Sequence, residues 1–377
     1  MSVARLADLA DPALAPCVVL KVGSALLFAG KGRPDREWLS TLVAEIAEAK
    51  ARGQQVIVVS SGAIALGAAR LGLEKGGRGS LADAQASAAV GQIALAGLWS
   101  ELLAAHGIVA AQLLLTLEDL EDRRRYLNAA ATLGRLLKAG AVPVINENDS
   151  VATAEIRFGD NDRLAARVAQ AAGAKAVVLL SDVDGLYDRD PRQPGASLLP
   201  RVEGVTDQVH AMASGSSGSG LGSGGMTSKL QAAEIATRAG IALAIANGKH
   251  PAPLSRALGG DIGTLFVPTR RDGARKAWLG GRLRMKGTLT VDAGCASALL
   301  KGGSLLASGV TGVEGDFARG DPVFVRDPQG RTLAQGLAEY ASAEVDTIKG
   351  RRSEEQQDLL GYAPRSAVIH RDQLVLL

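Results

Sequence analysis

Lys21 is the first residue whose type and setting could do chemistry. It stands in Val19-Leu20-Lys21-Val22-Gly23-Ser24. An ammonium inside an apolar strand is costly unless a carboxylate or other anion faces it. Gly23 and Ser24 then let the backbone come close to a ligand. The plainer alternative is a strand that merely reaches the surface at Lys21. Ser60-Ser61-Gly62-Ala63 is a second strand exit, opening into an Ala-rich helix. Backbone N–H groups at such a helix start bind an anion without side-chain charge. Serine capping would explain one of those serines with no ligand at all.

Four further segments add polar groups. Asn146-Glu147-Asn148-Asp149 and Gly159-Asp160-Asn161-Asp162 lie about ten residues apart. They could hold an ammonium, bind Mg²⁺ that arrives with ATP, or fix active-site lysines. Turn chemistry explains any single member, but less readily two clusters so close together. Ser181-Asp182-Val183-Asp184-Gly185 follows another strand and could receive a ribose and base, or could simply turn the chain. It lacks the terminal Glu of a calcium loop. The Ser/Gly-rich stretch Ser214–Gly225 runs into Met226-Thr227-Ser228-Lys229. Its Gly-to-Lys spacing is not that of a P-loop, and no strand precedes it as in a dinucleotide fingerprint. A mobile Gly-rich loop with a lysine at a helix N-terminus suits a phosphate that is enclosed and then released.

These groups need a scaffold. Strands are expected at Cys17–Val22, Gln55–Ser60, Val142–Asn146, Ala176–Ser181 and Ile241–Ala246. Between them Asp35 can cap a helix carrying Leu39, Leu42, Val43 and Ile46 on one face. A second helix runs through Tyr126, Leu127, Leu133 and Leu137 to Gly140. Strands alternating with helices imply right-handed crossovers and a mainly parallel sheet in an α/β sandwich. In such sheets ligands bind beyond the carboxyl ends of the strands, where all the polar segments above are gathered. The pattern closes near Thr264–Val267. The reading therefore assigns 1–270 to a catalytic α/β domain and 271–285 to a basic linker. Short segments at Gly287–Val291, Val313–Phe317, Pro322–Val325, Leu333–Leu337 and Ala367–His370 indicate a small, mostly β domain over 286–364, completed by a tail at 365–377.

Composition narrows the classes. At 377 residues two domains are natural, and 47% hydrophobic with 21% charged residues is ordinary for a globular chain. Residues 286–377 hold 10 Lys/Arg and 12 Asp/Glu, a net −2, and only 3% of the chain is aromatic. Neither feature suits nucleic acid. Four scattered histidines make no metal-ligand spacing. Cys17 and Cys295 read as two buried free thiols. No stretch of about 18–20 apolar residues is expected, so the reading is cytoplasmic with no membrane.

Taken together the segments resemble the amino acid kinase superfamily, most closely its glutamate 5-kinase branch, nearly end to end. The most specific pieces are Ser61–Gly67, Val142–Ile156, Gly159–Asp162 and Gly220–Lys229. The C-terminal part resembles a PUA domain. The resemblance implies an amino acid kinase three-layer sandwich followed by a PUA-like domain. It implies transfer of the ATP γ-phosphate to the γ-carboxylate of L-glutamate, opening proline biosynthesis. Lys21 and Lys229 would neutralise the moving phosphoryl group and Asp162 would hold the lysines. Ser61, Gly62, Asp149 and Asn161 would bind glutamate. ATP would meet Lys21, Ser181, Asp182, Ser223, Gly224, Gly225, Met226, Thr227, Ser228 and Lys229. Mg²⁺ would ride on the phosphates, with no direct protein ligand. Proline would inhibit, with Asp119 and Glu155 setting sensitivity. A homo-oligomer is implied, with glutamate-5-semialdehyde dehydrogenase as a further partner.

The chemistry agrees with the resemblance. A carboxylate nucleophile is already ionised at neutral pH, so alignment and charge cancellation must carry catalysis rather than a strong base. The competing readings are a sister kinase for N-acetylglutamate or aspartate, and an RNA-binding regulator acting through the PUA-like part.

Overall fold

The computed structural model describes residues 3–28, 33–151, 160–214, 225–260, 262–268 and 285–376. The chain divides into two compact units, Met1–Arg271 and Asp272–Leu377.

Among the described residues the first unit has eight strands: β1 (Cys17–Val22), β2 (Gln55–Ser60), β3 (Ala110–Leu115), β4 (Val142–Glu147), β5 (Ala176–Ser181), β6 (Arg201–Glu203), β7 (Ala242–Asn247) and β8 (Thr264–Val267). They lie in the order β3-β4-β2-β1-β5-β7-β8-β6, and only the β7–β8 pair is antiparallel. All six residues of β1 are buried, as a central parallel strand covered on both faces requires. Lys21 pairs in register with Val59 of β2 and Leu179 of β5. The chain leaves β1 towards β2 on one side and reaches β5 on the other, which makes the end of β1 a topological switch point.

Helices cover both faces. They are α1 (Arg36–Ala51), α2 (Ala63–Leu71), α3 (Leu81–Ala104), α4 (Leu117–Glu121), α5 (Arg123–Lys138), α6 (Asp160–Ala172), α7 (Asp207–Ser214), α8 (Gly225–Arg238) and α9 (Pro253–Gly260). Asp35 caps α1 by accepting the Trp38 N–H at 3.0 Å, and Leu39, Leu42, Val43 and Ile46 are buried as expected. Val18, Leu20 and Val22 share a core with α1, α3 and α9. The alternation of a strand then turns Val19 and Lys21 to the opposite face.

Helix α3 departs from the expectation of no long apolar stretch: it is long and apolar enough to cross a membrane by length and composition. Its packing explains the composition. A Cβ on Gly67 of α2 would stand 1.7 Å from the Ser87 carbonyl, and one on Gly91 of α3 1.7 Å from the Ala63 carbonyl. The two helices therefore touch backbone to backbone, and Trp99 of α3 donates its Nε1–H to Ser60 Oγ at 2.9 Å. Strand β3 was not expected; Ala-Ala-Gln-Leu-Leu-Leu reads as helix-forming, and pairing with β4 overrides that propensity.

The second unit carries a five-stranded sheet, β10-β9-β11-β12-β13, made of β9 (Gly287–Val291), β10 (Val310–Glu314), β11 (Pro322–Arg326), β12 (Thr332–Leu337) and β13 (Leu374–Leu376). Leu289, Val291, Val323, Val325, Tyr340 and Val368 centre its core. Helices α10 (Ala293–Leu300), α11 (Ser342–Ile348) and α12 (Ser353–Leu360) pack with it. Two expected strands shift. Phe317 lies beyond β10, its ring buried in the core, and Ala367–His370 forms only an isolated bridge from Ile369 to Leu305. Both cysteines are free; Cys17 is buried as expected but Cys295 only half-buried. Burial pushes the Cys17 thiol up to about 12, which makes it unreactive.

Candidate active site

The site is assembled on the face of the sheet that Lys21 occupies. Three buried charges meet there: Lys21 on β1, Asp162 in the first turn of α6, and Lys229 in the second turn of α8. Lys21 Nζ lies 2.5 Å from Asp162 Oδ1, and Lys229 Nζ lies 3.4 Å from Asp162 Oδ2. Ser228 Oγ donates to Oδ2 at 3.2 Å, while Lys229 also donates to the Gly225 carbonyl at 3.2 Å. Lys21 and Asp162 thus form a close, buried ion pair.

Burial alone would push the Asp162 carboxyl up. Lys21 and Lys229 on either side outweigh it and hold the group below the usual carboxylate range. Lys229 shows the reverse balance. Burial lowers its ammonium below the usual lysine value, opposed by Asp162 and Asp182 and reinforced by Lys21. The two buried cations outnumber the one buried anion, and that surplus of positive charge suits a further anion.

Helix α2 points its N-terminus into this region. Its N-cap is Gly62 at φ 107°, and no side chain caps it, so the alternative of a serine cap does not apply. A Cβ at Gly62 would meet Leu27 Cδ1 at 2.9 Å, so only glycine fits both the conformation and the space. The uncapped turn offers backbone N–H groups and the positive end of the helix dipole. Alongside, Asn161 Nδ2 donates to Ser61 Oγ and to Asn146 Oδ1, both at 3.0 Å. Among the described residues the buried Asn161 Oδ1 has no hydrogen-bond partner, so it can accept from a ligand donor.

Asp149, on the turn after β4, is buried. Its neighbourhood includes Arg78, which no sequence motif indicated. Arg78 is exposed as a whole residue, yet its guanidinium is shielded enough that burial lowers it, with Asp149 acting in the opposite direction. The chain reaches it through three consecutive left-handed residues, Lys75, Gly76 and Gly77. The sequence there, Lys75-Gly76-Gly77-Arg78-Gly79, holds two cations in a glycine-rich turn and does not single out Arg78.

On the far side of β1, Ser181 donates to Asp182 Oδ1 at 3.2 Å, and Asn247 donates to Asp184 Oδ1 at 2.8 Å. These strand exits line the other half of the switch point.

Two domain families match the chain at this architecture. The amino acid kinase family matches residues 16–247, and the PUA domain matches residues 287–360. The chain belongs to the amino acid kinase family. Its relatives include proteins named glutamate 5-kinase from Novosphingobium aromaticivorans, 70% identical over the whole of both chains, and from Sphingopyxis alaskensis, 60% identical over 98% of this chain and 100% of that one. A third, from Zymomonas mobilis and bearing the same name, is 54% identical over 97% of this chain and 92% of its own.

Within this amino acid kinase the structure gathers Lys21, Asp162, Ser228 and Lys229 into one cluster and Ser61, Asn146 and Asn161 into a second. Lys229 lies inside α8 rather than at its N-terminal end, because Gly225, Met226, Thr227 and Ser228 already form the first turn. Asp119 is occupied: it completes a capping box with Thr116 and pairs with Arg125 at 2.9 Å. Ser223, Gly224 and Glu155 lie outside the described residues.

Proposed function

We propose that the chain is an ATP-dependent glutamate 5-kinase, transferring the γ-phosphate to the γ-carboxylate of L-glutamate. The observation that carries the reading is the Lys21–Asp162–Lys229 cluster beneath the uncapped N-terminus of α2. The relatives' shared name supports the choice of glutamate.

In this reading the γ-carboxylate oxygen attacks the γ-phosphorus and the bond to the β-phosphate oxygen breaks, releasing ADP. No proton need be removed from the nucleophile. What must be overcome is repulsion between two anions, and Lys21, Lys229 and the α2 N–H groups supply the compensating charge. Asp162 is the positioning residue: its two oxygens hold the two ammonium groups side by side, Lys21 at Oδ1 and Lys229 at Oδ2. The ammonium of glutamate meets Asp149 and the open Asn161 Oδ1, with Ser61 beside them. Ser181, Asp182 and Ser223 to Lys229 receive ATP. Mg²⁺ on the phosphates spreads their charge; no residue of this chain is assigned to it.

Proline biosynthesis in the cytoplasm, a homo-oligomer, feedback by proline and hand-over to glutamate-5-semialdehyde dehydrogenase belong to the same proposal. Feedback set at Asp119 would act through the Thr116 cap and Arg125, because its carboxylate is already engaged there. The test traps the acyl phosphate with hydroxylamine: γ-glutamyl hydroxamate must form with L-glutamate and ATP, and ADP release without hydroxamate would refute the assignment.

A further inference from the structure

On the face of the sheet opposite Lys21 lies a cavity of about 390 Å³. Its floor is Val18 and Leu20 of β1, Val56 of β2 and Val178 of β5. Leu254 and Leu258 of α9 form one wall, and Leu9 and Ala10 of the N-terminal 3-10 turn form another. The lining has no aromatic ring, and the volume falls in the range that encloses small molecules.

Two polar groups fasten these walls. Glu45 accepts the backbone N–H groups of Leu254 at 3.1 Å and Ser255 at 2.6 Å, which fixes the start of α9. Gln54 Nε2 donates to the carbonyls of Leu9 and Ala15 at 2.9 and 2.8 Å, which fixes the N-terminal segment. Both groups are thereby engaged. Glu48 and Arg52 also line the cavity, and both are exposed at its mouth. They stand one turn apart at the end of α1, a separation of about 5–6 Å between Cβ atoms. Among the described residues neither has an ion-pair partner, and Arg52 makes only a long 3.5 Å side-chain contact, with Gln54 Oε1.

An aliphatic chamber with one carboxylate and one guanidinium at its rim matches a zwitterion with an aliphatic tail. We infer that the cavity binds a free α-amino acid with an aliphatic side chain. Its carboxylate pairs with Arg52, its ammonium with Glu48, and its side chain lies among Leu20, Val56 and Leu258. The site is separated from Lys21 by the thickness of the sheet and does not depend on the reading of the active site given above.

Calorimetric titration of the full chain with L-leucine tests this, with L-glutamate and a non-hydrolysable ATP analogue present at saturation. Saturable binding must persist under those conditions. Leucinamide, which lacks the carboxylate, and 4-methylpentanoate, which lacks the ammonium, must each bind at least about tenfold more weakly. Arg52→Gln must weaken leucine by a similar factor, and Leu258→Trp must abolish binding by filling the chamber. Arg52 is exposed, so R52Q tests the site even where L258W fails to fold. Absence of saturable binding, displacement by glutamate, equal binding of leucinamide, or leucine affinity unchanged in R52Q would each overturn the inference.

Discussion

Lys21 Nζ sits 2.5 Å from Asp162 Oδ1, joining the carboxyl end of the central strand to the first turn of α6. Asp162 is almost fully buried and its other oxygen serves Lys229, so one carboxylate organises both cations. Lys21→Ala or Lys229→Ala should each lower kcat by about 10²–10³ with ATP KM changed less. Asp162→Ala leaves two buried ammonium groups facing each other and should destabilise the fold by about 3–5 kcal/mol as well as abolish turnover. Steady-state kinetics and urea melts separate the two effects. A normal kcat in either lysine variant would remove that lysine from the chemistry.

The same cluster sets a pH dependence. The Asp162 carboxyl is lower in the folded chain than its ordinary value of 3.8, with burial opposing and the lysines prevailing. Its stabilisation is therefore present above pH 3.8 and lost as pH falls through the folded value. Lys229 is held below its ordinary 10.5, so its charge is lost at a lower pH than that of a free lysine. Turnover should accordingly begin to fall on the alkaline side before pH 10.5. Stability to acid, followed by circular dichroism, should fall more steeply for the native chain than for Asp162→Asn. Parallel acid curves would contradict the linkage.

Much of this was readable beforehand for a physical reason. Lys21 is a charge in a strand that otherwise buries and so needs a counter-ion, whereas Asp162 in a polar run and Lys229 after a Gly-rich loop were tied to it only by the family resemblance. Gly62 stood at a strand exit, and its φ of 107° with Leu27 packed against it accounts for the glycine. Arg78 was not legible, because a single arginine in a polar turn resembles any surface residue until Asp149 is placed near it. Helices α10, α11 and α12 were missed because each spans only seven or eight residues, too short for a clear period.

Substrate choice should follow the Asn161 cluster. Asp149→Ala and Asn161→Ala should raise the glutamate KM at least about tenfold while moving the ATP KM little. Arg78→Ala should act in the same direction more weakly, through Asp149. Initial-rate matrices in both substrates decide this, and equal rises in both KM values would show that these residues do not sort glutamate from ATP.

The assigned groups all precede residue 230, and the first compact unit ends at Arg271. A fragment of residues 1–285 should therefore melt cooperatively and retain hydroxamate formation within about tenfold of the full chain. A folded but inactive fragment would mean that the PUA-containing unit completes the site.

Transfer of the phosphoryl group by this cluster to the side-chain carboxylate of glutamate has a direct readout. Its most direct test compares kcat/KM for L-glutamate, N-acetyl-L-glutamate and L-aspartate under one coupled ADP assay, with Lys21→Ala as the blank. The account predicts that L-glutamate exceeds both alternatives by at least about 10², because Asp149 and Asn161 reward a free ammonium and the shorter aspartate falls short of the phosphorus. A comparable or higher kcat/KM for either alternative, or for L-glutamate in the Lys21→Ala blank, would contradict it.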